Sequence, residues 1–153
     1  EGVCIEMPEL PEAPFQGDED LMRQMILNLL DNSIKFTPSG GSVRLGLEPK
    51  GRWYRITVAD NGVGVPQTAQ SRIFDRFYRV DRAKSRQGEN GSSGGAGLGL
   101  SIARWIAEAH HGQLKLLHSD EKGSTFAAVL PIPQVISSRV DSRAPSRSRL
   151  NLL

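Results

Sequence analysis

With 153 residues, the chain has the length of one domain and can bury a single core unaided. No apolar stretch approaches a membrane span, nothing in it reads as a signal peptide, and the lone Cys4 excludes an internal disulfide or a multi-cysteine zinc site. The net charge of +2 is uneven: Arg139, Arg143, Arg147 and Arg149 against Asp141 give residues 134–153 a charge of +3, so residues 1–133 carry −1 and present no basic face suited to nucleic acid.

In chain order, residues 3–6 read as a short strand, and Pro8, Pro11 and Pro14 then interrupt regular structure. Asp18 is a suitable N-cap. From Glu19 to about Phe36 the apolar residues Met22, Met25, Ile26, Leu29, Leu30 and Ile34 recur at helical spacing, and the glycine- and proline-containing residues 37–41 end the helix. Residues 42–47 and 54–59 predict a hairpin joined by residues 49–52. A short helix is expected within 67–77. Residues 79–95 hold little apolar content and many Gly, Ser and charged residues, the composition of a functional or disordered loop. An amphipathic helix is predicted over 98–110, closed by Gly112, and a second hairpin over 113–118 and 125–130. The sum is an α+β fold, a mostly antiparallel sheet with helices on one face. The domain is expected to span 1–133, followed by a disordered Ser- and Arg-rich tail over 134–153. The domain is expected to be soluble and monomeric.

Four polar or glycine-rich blocks follow one another along this chain. Asn28, Asn32 and Lys35 stand at i, i+4 and i+7, so they share a narrow helix face. An amide oxygen suits a hard cation carrying phosphate oxygens, and a lysine one turn on can meet the same phosphates. Taken alone, this is equally an ordinary solvated face. Asp60 ends a β-branched run and precedes Gly62 and Gly64, so its carboxylate can accept an exocyclic amine while a planar base approaches the backbone. Taken alone, it is equally an Asp-Asn-Gly turn. The third block, 73–79, holds Phe74, Phe77 and Arg79; the two rings could equally be plain core. In the fourth, Gly95, Gly97 and Gly99 run directly into a helix, which suits an anion better than it suits a linker. No P-loop spacing is present, and the dinucleotide fingerprint fails at Leu100, where it needs a third glycine.

The ordered blocks resemble the catalytic and ATP-binding domain of sensor histidine kinases, in the superfamily that also holds gyrase, a heat-shock chaperone and MutL. Residues 28–37 are similar to its N box, 60–66 to its first glycine box and 73–79 to its F box. Residues 95–100 are similar to the second glycine box, and 123–126 to the last. The resemblance covers nearly all of residues 3–133. It implies a two-layer Bergerat-type sandwich with a mixed, mostly antiparallel sheet. It implies ATP and Mg²⁺ as cofactors, with Asn28 and Asn32 at the metal and Lys35 at the phosphates. Asp60, beside Gly62 and Gly64, would accept from adenine, Arg79 would reach the γ-phosphate, and Phe74 and Phe77 would anchor a mobile lid over 80–95. Gly95, Gly97, Leu98, Gly99 and Leu100 would cradle phosphates, and Thr125 would join the nucleotide contacts. Asn28, Lys35 and Arg79 would carry the transfer. Ala96 departs from relatives that place a hydroxyl residue there.

ATPases of this superfamily place a Glu general base four residues before the metal-binding Asn; here that position is Asn28, which cannot take a proton. Phosphoryl transfer therefore fits better than hydrolysis. The acceptor is expected elsewhere, because His110 and His111 end the helix that follows the second glycine box, His118 ends a strand, and none lies in a dimerisation hairpin. The chain thus reads as an excised fragment of a bacterial inner-membrane sensor kinase, this part cytoplasmic. Its partners would be a dimerisation and histidine-phosphotransfer domain and the receiver domain of a response regulator, with no nucleic acid. The rival readings are an ATP-hydrolysing member of the superfamily, a serine kinase of the same fold, and a binding module that no longer takes ATP.

Overall fold

A computed structural model describes residues 2–80 and 96–133. The expectations for a lid over 80–95, beyond Val80 itself, for Gly95 and for the tail lie outside the described residues. Among the described residues there are seven elements: β1 (Cys4–Glu6), α1 (Glu19–Phe36), β2 (Ser42–Lys50), β3 (Trp53–Asp60), α2 (Gly99–Ala109), β4 (Gln113–Asp120) and β5 (Gly123–Pro131). The sheet order is β1-β2-β3-β5-β4, with β1 parallel to β2 and every other pair antiparallel. This is the mixed, mostly antiparallel sheet expected from the sequence.

Asp18 opens α1, its Oδ1 accepting from Leu21 N–H at 3.0 Å. The Met25–Leu29–Ser33 stripe of α1 is buried. Along the strands, Val43 and Leu45, Val58, Phe126, Ala128 and Leu130, and Leu114 point the same way and meet that stripe together with Ala103, Ile106 and Ala107 of α2. The helices therefore cover one sheet face.

Three local expectations change. β2 runs through Pro49 to Lys50, because β1 pairs only with residues 42–44, and beyond them β2 is an edge where a missing N–H is tolerated. Gly51, at φ +63°, then sits in the tight turn to β3. Residues 67–77 form successive turns rather than an α-helix. Ala69, Arg72 and Asp75 each donate to the carbonyl three residues back, at 2.8, 2.9 and 2.9 Å. Ala69 and Ile73 anchor the segment in the core. Bonds from Val65 N–H to Ser119 Oγ and from Phe77 N–H to Gly97 O fasten its two ends, so tertiary contacts set its path. Finally, β4 and β5 extend to the turn itself, which Lys122 N–H closes on Asp120 Oδ1 at 2.8 Å. That bond, with His118 assisting, holds the Asp120 carboxyl below the usual carboxylate range although desolvation acts the other way.

Candidate nucleotide-binding site

The end of β3 meets the end of α1 because the loop after Asp60 has no side chain in the way. Val63 N–H donates to Phe36 O at 3.1 Å, and a Cβ on Gly62 would run into that same carbonyl. Gly64, at φ +69°, lies against the Asp120 carbonyl, where a Cβ would collide. Asp60 is thereby fixed. Its Oδ1 accepts from Gly62 N–H at 3.0 Å and from Ser124 N–H at 3.1 Å. Both bonds fall on one oxygen, which leaves Oδ2 for a donor on a ligand. A half-buried acceptor held this rigidly suits an exocyclic amine.

The cross-strand register puts Ser124 and Thr125, the latter expected among the nucleotide contacts, on opposite sheet faces. Asp60 pairs with Ser124, whereas Thr125 pairs with Ala59 and so points to the sheet face away from the helices. Ser124, only 4% exposed, is the hydroxyl on the Asp60 side, and the motif alone did not reveal the phase of the pleat. Sequence reading also missed Ser119, whose Oγ accepts from Val65 N–H at 2.7 Å and lies 3.0 Å from Ser124 Oγ. Its signal in the sequence was no stronger than that of any serine near a hairpin turn.

On the other side of α1, the second glycine box starts α2. Gly97 has φ +72°, and Leu98 at the N-cap makes no side-chain capping bond. The first turn of α2 carries no acidic residue. Its leading N–H groups lack a side-chain cap and the helix dipole favours an anion there. Gly99 faces Asn28: a Cβ there would lie 3.8 Å from Asn28 Oδ1. Among the described residues Asn28 Nδ2 is buried without a hydrogen-bond partner, an arrangement that calls for a ligand. Asn32 is half-buried one turn on, and Lys35 is exposed with Nζ 5.5 Å from the Phe36 ring centre. Asp60, Asn28, Asn32, Lys35 and the 97–100 helix start are thus arranged around the C-terminal half of α1.

Amide oxygens beside an anion-binding helix start fit Mg²⁺ carried by phosphate oxygens. Among the described residues no group of His, Cys, Asp and Glu could hold a metal by itself, so phosphate would have to supply the remaining ligands.

Phe74 and Phe77, paired in the sequence reading, separate here. Phe74 packs edge-on to Phe126 with centroids 6.4 Å apart. Phe77 is 64% exposed at φ +63°, and its N–H donates to Gly97 O at 3.0 Å. A Cβ on Gly97 would press on Tyr78 O. The backbone at Phe77, rather than its ring, therefore joins the F box to the second glycine box. Arg79 is half-buried at the edge of the described residues. Two cavities among the described residues, about 970 Å³ beside Phe74, Glu108 and Lys115 and about 390 Å³ between Phe77, Leu98 and Trp105, are not lined by Asp60.

The three histidines stand at the end of α2 and on β4. His110 Nδ1 lies 2.8 Å from Ile106 O while Nε2 accepts from Asp18 N–H at 3.1 Å, tying the end of α2 to the start of α1. His118 pairs with Asp120 at 3.1 Å. His111 is exposed, and its backbone caps α2 beside Gly112.

Comparison with known proteins agrees with this geometry. Residues 17–134 match the family model described as histidine kinase-, DNA gyrase B- and HSP90-like ATPase. The chain is 38% identical over 133 residues to the sensor-like histidine kinase SenX3 of Mycolicibacterium smegmatis, covering 87% of this chain and 33% of that protein. It is 36% identical over 124 residues to the signal transduction histidine-protein kinase BaeS of Escherichia coli, covering 81% and 26%. The chain therefore spans about a third of the length of such relatives. Among solved structures, full-length ShkA in complex with AMPPNP matches with a TM-score of 0.68 at 30% identity, over 85% of this chain and 25% of that one. The nucleotide-free catalytic domain of histidine kinase ThkA matches with a TM-score of 0.67 at 26% identity, over 86% and 78%. This chain belongs to the histidine kinase-, DNA gyrase B- and HSP90-like ATPase family, as an ATP-binding domain of the sensor histidine kinase type.

Proposed function

We propose that this domain binds ATP with Mg²⁺ and passes the γ-phosphoryl group to a histidine on a separate dimerisation domain, from which it reaches a response-regulator receiver domain. The observation that carries the reading is the placement of two unmet needs on either side of α1. On one side stands a carboxylate with a free oxygen, and on the other an uncapped helix start facing an unpartnered buried amide. An adenosine polyphosphate answers both.

In this reading Asp60 Oδ2 accepts from the adenine amine, and the glycines at 62 and 64 let the base lie against the backbone. The N–H groups at the start of α2 hold phosphate oxygens in a fixed array, so their dipoles need not reorganise as charge develops. Asn28 and Asn32 would hold Mg²⁺ through their amide oxygens, and Lys35 and Arg79 would meet the terminal phosphates. The metal, when bound, neutralises charge on the phosphates. Asn28 cannot remove a proton from water, so the chain positions a donor and leaves the nucleophile to another domain. The relatives named above are bacterial sensor kinases, which supports placing the whole protein in bacterial signal transduction; a membrane anchor outside this chain, with this domain on the cytoplasmic side, belongs to the same reading.

Radiolabelled ATP tests the proposal. The chain alone should neither label itself nor release phosphate appreciably, and a dimerisation domain added in trans should become labelled in an acid-labile bond. Brisk phosphate release by the chain alone would instead favour the ATP-hydrolysing reading.

A further inference from the structure

Three segments meet at Ser119. The loop after Asp60 donates Val65 N–H to its Oγ at 2.7 Å, and across the hairpin its Oγ lies 3.0 Å from Ser124 Oγ. Ser124 is buried, pairs with Asp60 in the sheet and donates its own N–H to Asp60 Oδ1 at 3.1 Å. Gly64 makes the junction possible, since a Cβ there would collide with the Asp120 carbonyl and lie 3.3 Å from Ser119 Oγ.

The bond from Val65 gives this chain of bonds a direction. Ser119 Oγ already accepts from that backbone N–H, which polarises its own O–H toward an acceptor, and the hydroxyl oxygen of Ser124 is the partner at hand. With Ser119 donating to Ser124, the proton left over is that of Ser124, the residue paired with Asp60. The reverse polarity leaves over the Ser119 proton instead and makes Ser124 Oγ an acceptor opposite Asp60. The favoured order therefore displays an acceptor at Asp60 and, next to it, a donor at Ser124.

Adenine presents the complement, an amine donor at N6 and an acceptor at N1. Hypoxanthine and guanine present the opposite pair, an O6 acceptor and an N1–H donor. We propose that Ser119 is a positioning residue for base selection: it fixes the direction of the Ser124 proton, so that the site reads N1, directly or through one water, as well as N6. The inference rests on the ATP reading above and adds a specificity device to it. Asp60 alone could be satisfied by any amine; the relay adds a second criterion.

The test is competition binding of ATP and inosine triphosphate, both with Mg²⁺, to the parent chain, Ser119→Ala, Ser119→Thr and Ser124→Ala. Freed from Ser119, the Ser124 hydroxyl can turn to accept from N1–H, so Ser119→Ala should narrow the preference for ATP about tenfold, the value of one hydrogen bond of ordinary strength. Ser119→Thr keeps the hydroxyl and should retain the parent ratio. Ser124→Ala leaves the Val65–Ser119 bond in place, removes the donor and should narrow the ratio as well, which keeps the test decisive if Ser119→Ala fails to fold. A merely structural serine would weaken both nucleotides by one factor; an unchanged ratio in Ser119→Ala, or in Ser124→Ala, would overturn the proposal. A parent chain that binds ATP but shows that unchanged ratio loses only the relay, whereas one that binds no ATP loses the nucleotide reading as well.

Discussion

In the proposed reading, Asn28 decides what the site does with ATP. It sits on α1 facing Gly99, with its buried Nδ2 unpartnered, at the position where a hydrolase of this superfamily would carry a Glu. Asn28→Ala should remove phosphotransfer to a supplied acceptor domain while the fold persists, measurable by radiolabel transfer alongside a thermal melt. Transfer at the parent rate would rule out contact between Asn28 and the metal or phosphates. Gly64 makes a second residue-scale case. At φ +69° and pressed on the Asp120 carbonyl, it leaves no room for a methyl group. Gly64→Ala should cost at least about 1–2 kcal/mol of stability from backbone conformation alone, read from urea midpoints. It should also weaken ATP binding, because Val65 can no longer reach Ser119. Individual residues were the least legible scale. Asp60, Asn28 and Gly97 stood out by motif, but the choice between Ser124 and Thr125 depends on strand register, which only the pairing with Asp60 fixes.

At the scale of elements, α1 was read to its bounds because its apolar period, its Asp18 cap and its Thr37-Pro38 stop all agree. The 67–77 segment misled, since its Ala69 and Ile73 spacing imitates a helix while bonds at either end hold it in turns. The close of α2 carries its own prediction. His111 N–H donates to Glu108 O at 3.0 Å and Gly112 N–H to Ala107 O at 2.8 Å, a Schellman ending with His111 at φ +58°. A non-glycine residue is strained there. His111→Gly should stabilise the domain by about 0.5–1 kcal/mol, seen as a rise in Tm, with ATP affinity unchanged because the position lies at the far end of α2 from Gly99. A fall in Tm would mean that the exposed imidazole contributes more than the strain it carries.

For the whole molecule, the two layers divide the labour. In the proposed reading, the sheet end at Asp60 and Ser124 would present base-reading groups, while the helix layer would bring Asn28 and the start of α2 to the phosphates. The α+β class, the mixed sheet and the order of the blocks could all be read from the sequence, because strand and helix periods alternate cleanly along it. What could not be read was which backbone groups do the fastening: Phe36 O to Val63, Gly97 O to Phe77, and Ser119 Oγ to Val65. These bonds join loop amides to two carbonyls and one serine hydroxyl that are distant in sequence. The central claim, an adenine site built on Asp60, is tested most directly by titrating ATP with Mg²⁺ calorimetrically into the parent chain and into Asp60→Ala. The account predicts saturable one-to-one binding by the parent and a loss of about 1–3 kcal/mol in the variant, roughly ten- to a hundredfold in affinity. Equal affinity of the two chains for ATP would contradict it.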